Sequence, residues 1–567
     1  MIQGIGASKG YGVGTIVRIE ETDLSFEDKK ITDVDSEVAR FQKAVEDFTE
    51  KTMDMAAKMR EQVGEKEAEI LEGHVIMVSD PAMADEVTNQ IKDGTCAERA
   101  LWNVCDMFIQ IFSMAEDELT NQRVTDVQDM RNRLLKILLG KEEVDISQVP
   151  KGTILAARDL TPSMTVGLHK ENVVGILTEV GGKTSHSAIL ARALEIPAVL
   201  SIPDIMQTVK DGQEAALDGD LGVVILDPSE EEKAEYHAKR EQYLKEKEAL
   251  RALVGKPTIT ADGKQVELVC NIGKPQDSDM VLERDGEGVG LFRTEFLFMD
   301  RTNTPSEEEQ FQAYKQVAET MQGKPVIIRT LDVGGDKEIP YLNLEKEDNP
   351  FLGYRAIRVC LKQKDLYRAQ LRALLRASAY GDIRIMVPMV TCLDELRQVK
   401  ELLCELMKEL NQEQIAYNKE IKVGIMVETP AASLMADLLA KEADFFSIGT
   451  NDLTQYTMVV DRGNAQVAYL YSAYNPAVLR SIAHVIACGN KAGIPVGMCG
   501  EAAADEKLIP LLLAYGLDEF SVSATSVLAT RNTIAKWTIE EAKALAKEVE
   551  GLGTREEVEQ LLEQRKK

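Results

Sequence analysis

At 567 residues the chain exceeds what one hydrophobic core supports, so roughly two to four domains are expected. Its 95 acidic residues outnumber its 66 basic ones to give a net charge of -29, which repels nucleic-acid phosphates and anionic lipid and excludes polynucleotides as partners. No apolar run reaches the roughly 18 residues of a membrane span, the opening MIQGIGASKG lacks a signal-peptide pattern, and the eight cysteines show no paired spacing. A cytoplasmic chain with reduced thiols and no membrane insertion is therefore expected.

From about Asp33 to Gly140, charged and apolar positions alternate at helical spacing with almost no proline, which predicts a bundle of helices. Between about Thr153 and Pro228 the runs GTILAA, VVGILTEV, IPAVLS and GVVILDP alternate with turns and one clear helix, the pattern of a compact α/β unit. The early segment GYGVGTIVRI would complete that unit and make the bundle an insertion within a split domain. The highly charged stretch from Ser229 to Gly255 has few apolar anchors and reads as a linker helix. Beyond Lys256 come eight short apolar runs: VELVCNI, GVGLFRTEF, PVIIRTLDV, IRIMVPMV, VGIMVETP, DFFSIGTND, PVGMCGE and EFSVSA. Helical stretches separate most of them, as a (β/α)8 TIM-like barrel requires. The expected division is 1–24 with 145–230 for the α/β domain, 25–144 for the inserted helices, 231–257 for the linker and 258–567 for the barrel.

Polar residues fall at the downstream ends of these barrel strands, where such a fold keeps its chemistry. Glu428 in VETP and Asp452 in GTNDL end neighbouring strands, so both could meet one divalent cation, Mg2+ or Mn2+. Taken singly, each could equally be a surface carboxylate. Arg293, Arg329, Arg355 and Arg462 offer planar donors suited to phosphate or carboxylate, with surface ion pairs as the alternative for each alone. Asn451 shares the strand end with Asp452. Cys499 in GMCGE is flanked by glycine and could act as an acid or pack as a small buried thiol. In GGKTSHSAILARAL, Thr184 or Ser185 can cap a helix that begins near His186. The free amides and dipole there would stabilise a phosphate on the imidazole; a histidine merely packed at a cap is the alternative.

At GGKTSHSAIL, GVGLFRTEFLFMDR, FSIGTNDLTQY and PVGMCGEAAAD the chain resembles, essentially end to end, the enzyme I family of the bacterial phosphotransferase system, the phosphoenolpyruvate-protein phosphotransferases. The resemblance implies a multidomain α/β protein: a phosphohistidine domain with an inserted helical domain that docks the carrier HPr, and a barrel that binds phosphoenolpyruvate and Mg2+, releases pyruvate and forms a homodimer. It assigns phosphorylation to His186, support of that ring to Thr184, and phosphate binding to Arg293 and Arg329. Further substrate contacts fall to Lys337, Arg355, Asn451 and Arg462, the metal to Glu428 and Asp452, and protonation of the enolate to Cys499. Lys183 stands where relatives commonly have arginine, so a point charge replaces a bidentate fork. For HPr the candidates are Glu69, Glu72, His74 and Met77 in LEGHVIMV and just before it. The rival readings are a dikinase or synthase that also uses phosphoenolpyruvate, which would need a nucleotide-binding domain, and a non-catalytic phosphoenolpyruvate sensor.

Overall fold

The computed structural model describes the chain apart from residues 21, 63–64, 115–117, 142–145, 147, 166–167, 183–184, 300, 336–338, 343 and 465. For residues 61–62, 65–67, 118–122, 162 and 186 it describes the backbone alone. The chain divides into two compact units, Met1–Lys247 and Glu248–Lys567.

The first unit is built on an eight-stranded sheet. Its strands are β1 (Ile2–Gln3), β2 (Ile5–Ser8), β3 (Tyr11–Ile19), β4 (Thr153–Ala157), β5 (Val173–Thr178), β6 (Ala198–Leu200), β7 (Glu214–Asp218) and β8 (Val223–Leu226). They lie in the order β1-β8-β7-β3-β4-β5-β6-β2, with β3, β4, β5 and β6 parallel and the flanking pairings antiparallel. TILAA of β4 and VVGILT of β5 are buried along their whole length, as central parallel strands covered on both faces must be. Alternate residues feed two cores: Leu155, Ile176 and Leu200 on one face, Ile154, Leu177 and Leu217 on the other.

Parallel neighbours need a long crossover, and between β3 and β4 the chain runs through five helices. These are α1 (Val34–Gln62), α2 (Glu65–Ser79), α3 (Pro81–Lys92), α4 (Ala97–Ser113) and α5 (Glu118–Leu139). They close around Phe41, Phe48, Val87, Leu101, Val104 and Leu134. Asp80 starts α3 by accepting from the Ala82 N–H at 2.8 Å, with Pro81 at the first helical position, where no amide is needed. Of the methionines in these helices, Met59 and Met83 are core, whereas Met53, Met107 and Met114 are exposed. A charged helix, Glu230–Arg251, follows β8 and buries only Tyr236, and the boundary between the units falls within it.

The second unit is a closed barrel of eight parallel strands, one from each predicted apolar run. They are β9 (Glu267–Ile272), β10 (Val289–Arg293), β11 (Val326–Arg329), β12 (Ile383–Val387), β13 (Lys422–Val427), β14 (Phe446–Gly449), β15 (Val496–Cys499) and β16 (Glu519–Val522), and β16 closes on β9. Outward side chains such as Phe292, Val387, Ile448 and Phe520 pack beneath the surrounding helices. Inward, Leu291, Ile327, Met386, Met426, Phe445 and Cys499 fill the barrel as a packed layer. Among the described residues no helix is long and apolar enough to cross a membrane.

Candidate active site

At the C-terminal mouth of the barrel the strand ends open into a cleft of about 770 Å³. β10 ends on Arg293, β11 on Arg329 and β15 on Cys499; Glu428 follows β13, and Asn451 and Asp452 open the helix after β14. With Arg355 and Arg462 they all line this one cleft. Sequence-distant residues of the predicted types are thus brought together.

The charges are organised as a chain of buried pairs. Arg329 donates to Glu295 Oε1 at 2.6 Å and lies 3.1 Å from Asp332 Oδ2. Arg355, 1% exposed, forks onto Asp332 (3.0 and 3.2 Å) and onto Asp452 (3.2 and 3.1 Å), and also donates to the Tyr456 hydroxyl at 3.0 Å. Bidentate pairing of this kind fixes a guanidinium plane far better than a lysine could be fixed. The residue after Arg355, Ala356, has φ 53° and ψ -122°, a conformation that costs about 1–3 kcal/mol and is retained beside the site. Arg293 differs: among the described residues it has no ion-pair partner, its buried Nε has no hydrogen bond, and its guanidinium stands 5.0 Å over the Phe296 ring.

Glu428 is fully buried and accepts from the Met389 N–H at 2.7 Å. Burial, with the negative charges of Asp452 and Asp332 nearby, pushes its carboxyl up to about 8. Glu428 and the neighbouring Asp452 carboxylate suit a hard cation between them, with further positions left to water and substrate oxygens. Cys499 is buried, donates weakly to Ile448 O at 3.8 Å, and has its thiol pushed up to about 12 chiefly by burial. It is therefore protonated at neutral pH. Gly500 beside it has φ 109°, and a Cβ there would stand 2.4 Å from Thr450 Oγ1, so only glycine brings these two loops together.

In the first unit, His186 opens the helix His186–Ala193, and Ser185 is the cap, its Oγ accepting from the Ala188 N–H at 3.4 Å. Ser187 Oγ donates to Asp159 Oδ1 at 2.7 Å and ties this first turn to the segment after β4. Thr184, Lys337 and Lys183 lie outside the described residues, as does the His186 side chain.

Three family models match the chain: PEP-utilising enzyme, N-terminal, over residues 3–123; the mobile domain of the same enzymes over 149–222; and their PEP-binding domain over 247–539. The chain is 48% identical over 534 residues to the phosphoenolpyruvate-protein phosphotransferase of Priestia megaterium, covering 94% of this chain and 93% of that one. With the proteins of the same name from Bacillus subtilis (strain 168) and Staphylococcus carnosus (strain TM300) it shares 47% over 558 residues and 46% over 564, each spanning at least 98% of both chains. The chain belongs to the phosphoenolpyruvate-protein phosphotransferase family.

Within this phosphotransferase architecture, the mobile-domain match contains His186 and the PEP-binding match contains the whole arginine cleft. On α2, Glu69 is exposed, Glu72 accepts from Arg60 at 2.7 Å and Met77 is half-buried. His74 corrects the sequence expectation: its ring is fully buried, 3.8 Å from Asp126 and 3.9 Å from Asp129, because that face of α2 turns toward α5. Glu295, Asp332 and Tyr456 were missed. A carboxylate inside an apolar strand run, as in PVIIRTLDV, is the signal that could have flagged Asp332.

Proposed function

We propose that this enzyme transfers the phosphoryl group of phosphoenolpyruvate to His186 and then to the histidine of HPr, releasing pyruvate. The observation that carries the reading is Arg293, a cation with no ion-pair partner among the described residues, beside the braced Arg329 and Arg355 in one cleft. That arrangement is prepared for an anion, since the paired arginines need no reorganisation when it arrives.

Arg293 and Arg329 hold the phosphoryl group, and Arg355, Lys337, Asn451 and Arg462 hold the rest of the substrate. Neutral His186, supported by Thr184, forms the N–P bond as the bridging P–O bond breaks and its electron pair passes to the enolate of pyruvate. The enolate takes a proton on carbon from the Cys499 thiol, which solvent then restores. Glu428 and Asp452 would hold Mg2+, or Mn2+, which supplies charge neutralisation on the transferring group.

The α/β domain of residues 1–24 and 145–230 carries phosphate, the helices of 25–144 receive HPr, 231–257 link, and the barrel of 258–567 binds substrate and forms the homodimer. Glu69, Glu72 and Met77 on α2 offer HPr an acidic, adaptable face; buried His74 stands behind it. The test is labelling with radioactive phosphoenolpyruvate. Wild type should take an acid-labile, alkali-stable label that chases to HPr, and His186→Ala should take none while still binding phosphoenolpyruvate. Undiminished labelling of the variant, or labelling from ATP instead, overturns the assignment.

A further inference from the structure

The barrel has a second mouth, at the N-terminal ends of its strands. It opens into a cavity of about 570 Å³ that shares no lining residue with the arginine cleft. Glu267 and Glu519, the first residues of β9 and β16, are register partners and form one wall. Arg384 of β12 and Lys422 of β13, also register partners, form another. In the closed strand order β9 stands four strands from β13, and β16 four from β12, so the acidic wall faces the basic wall across the mouth.

Glu519 is the unusual member. It is 6% exposed, and its Oε1 is enclosed without a hydrogen-bond partner. Buried carboxylates are nearly always supplied with donors. Arg384 does not serve, because its guanidinium is engaged by Asp382 at 2.7 Å. Gly497 on β15 keeps the space in front of the carboxylate clear; a Cβ there would lie 2.7 Å from Oε1.

We propose that this mouth binds a small zwitterion of the amino-acid class, its ammonium on Glu519 and its carboxylate toward Lys422. A simple cation would face the basic wall and a simple anion the acidic one; a dipolar ligand satisfies both. Phe445 and Ile494 give the cavity apolar surface for a side chain. The packed layer of Leu291, Met386 and Met426 separates the two mouths, so this ligand and phosphoenolpyruvate bind independently.

The experiment uses the full-length protein at about pH 8.5, where the Glu519 carboxyl, pushed up to about 8, is ionised, and the protein amino acids as probes, one at a time, in saturation-transfer difference NMR followed by calorimetry. At least one should bind saturably in the millimolar range or tighter, with phosphoenolpyruvate present or absent. Glu519→Gln and Lys422→Gln should each weaken it by about 10-fold or more, the loss expected for a charge-assisted hydrogen bond. Lys422 is exposed, so its substitution tests the site even where Glu519→Gln perturbs folding. No saturable binding by any amino acid, equal affinity in both variants, or equal binding of the ligand's decarboxylated amine overturns the proposal.

Discussion

Replacing Glu519 with glutamine should change how the barrel's stability depends on pH. Burial, reinforced by Glu267 and Asp518 and opposed by Arg384, pushes the Glu519 carboxyl up to about 8 from an ordinary 4.5. Between those values the folded chain holds a proton that the unfolded chain has released, so unfolding releases it and stability falls as pH rises through this window. At about 1.4 kcal/mol per pH unit, the full gap corresponds to about 5 kcal/mol, all of it felt above pH 8. Glu519→Gln removes that dependence and keeps the side-chain volume. Relative to wild type the variant should gain stability steadily from about pH 5 to about pH 8.5. The chain has two tryptophans, Trp102 in the helices and Trp537 in the barrel unit, so a Trp102→Phe background leaves fluorescence reporting on the barrel alone. Urea unfolding of both proteins in that background, followed at Trp537 across the pH range, measures the difference directly. Parallel profiles would mean that Glu519 is ionised at neutral pH in the folded chain, and the burial argument would fail.

Glu428→Gln or Asp452→Asn should raise the Mg2+ requirement and lower turnover by about 10²-fold or more, as when a clamp on a transferring phosphoryl group is lost; initial rates over a Mg2+ series check this. Cys499→Ser should slow pyruvate formation while leaving phosphoenolpyruvate affinity close to wild type, because the thiol faces the enolate step; pre-steady-state pyruvate release against equilibrium binding separates the two. Asp332→Asn removes the carboxylate shared by Arg329 and Arg355 and should destabilise the barrel by about 3 kcal/mol at Trp537. It should also raise the KM for phosphoenolpyruvate, an effect that a merely structural residue would not produce.

The barrel was legible because each strand is a short Val- and Ile-rich run, and the polar residue that ends it is the first to leave the packed interior. Arg293 and Arg329 reach the cleft by that rule, and Asp452 just beyond it, while Cys499 ends β15 still within the packed layer. Asp332, Glu295 and Tyr456 were not found, because, apart from Arg329 three residues before Asp332, their partners are distant in sequence. Asp332 meets Arg355, 23 positions away, and Arg355 in turn meets Asp452, 97 positions away, so no local pattern records the network. His74 failed for a related reason. The stretch LEGHVIMV has apolar residues on most sides, and the buried face is decided by α5, whose Asp126 and Asp129 lie about 50 residues further on. The second mouth left no motif, since its charges sit at the starts of strands, where solvated residues are ordinary.

The two ends of one barrel handle buried charge in opposite ways, and the contrast says where each expects its ligand. At the C-terminal end Glu295 and Asp332 brace Arg329 while Asp332 and Asp452 brace Arg355, and Arg293 is the cleft arginine whose buried Nε has no hydrogen-bond partner among the described residues. On the proposed function, an incoming phosphate would meet arginines that are already held in place. At the N-terminal end the basic residues are engaged or solvated, and Oε1 of the buried Glu519 carboxyl is left without a hydrogen-bond partner. A ligand there must bring the donor with it. The packed layer of Leu291, Ile327, Met386, Met426 and Phe445 keeps the two imbalances from cancelling through the barrel axis. Enlarging that layer's free space would let water connect the ends, and the electrostatic preparation of the upper cleft depends on its staying dry.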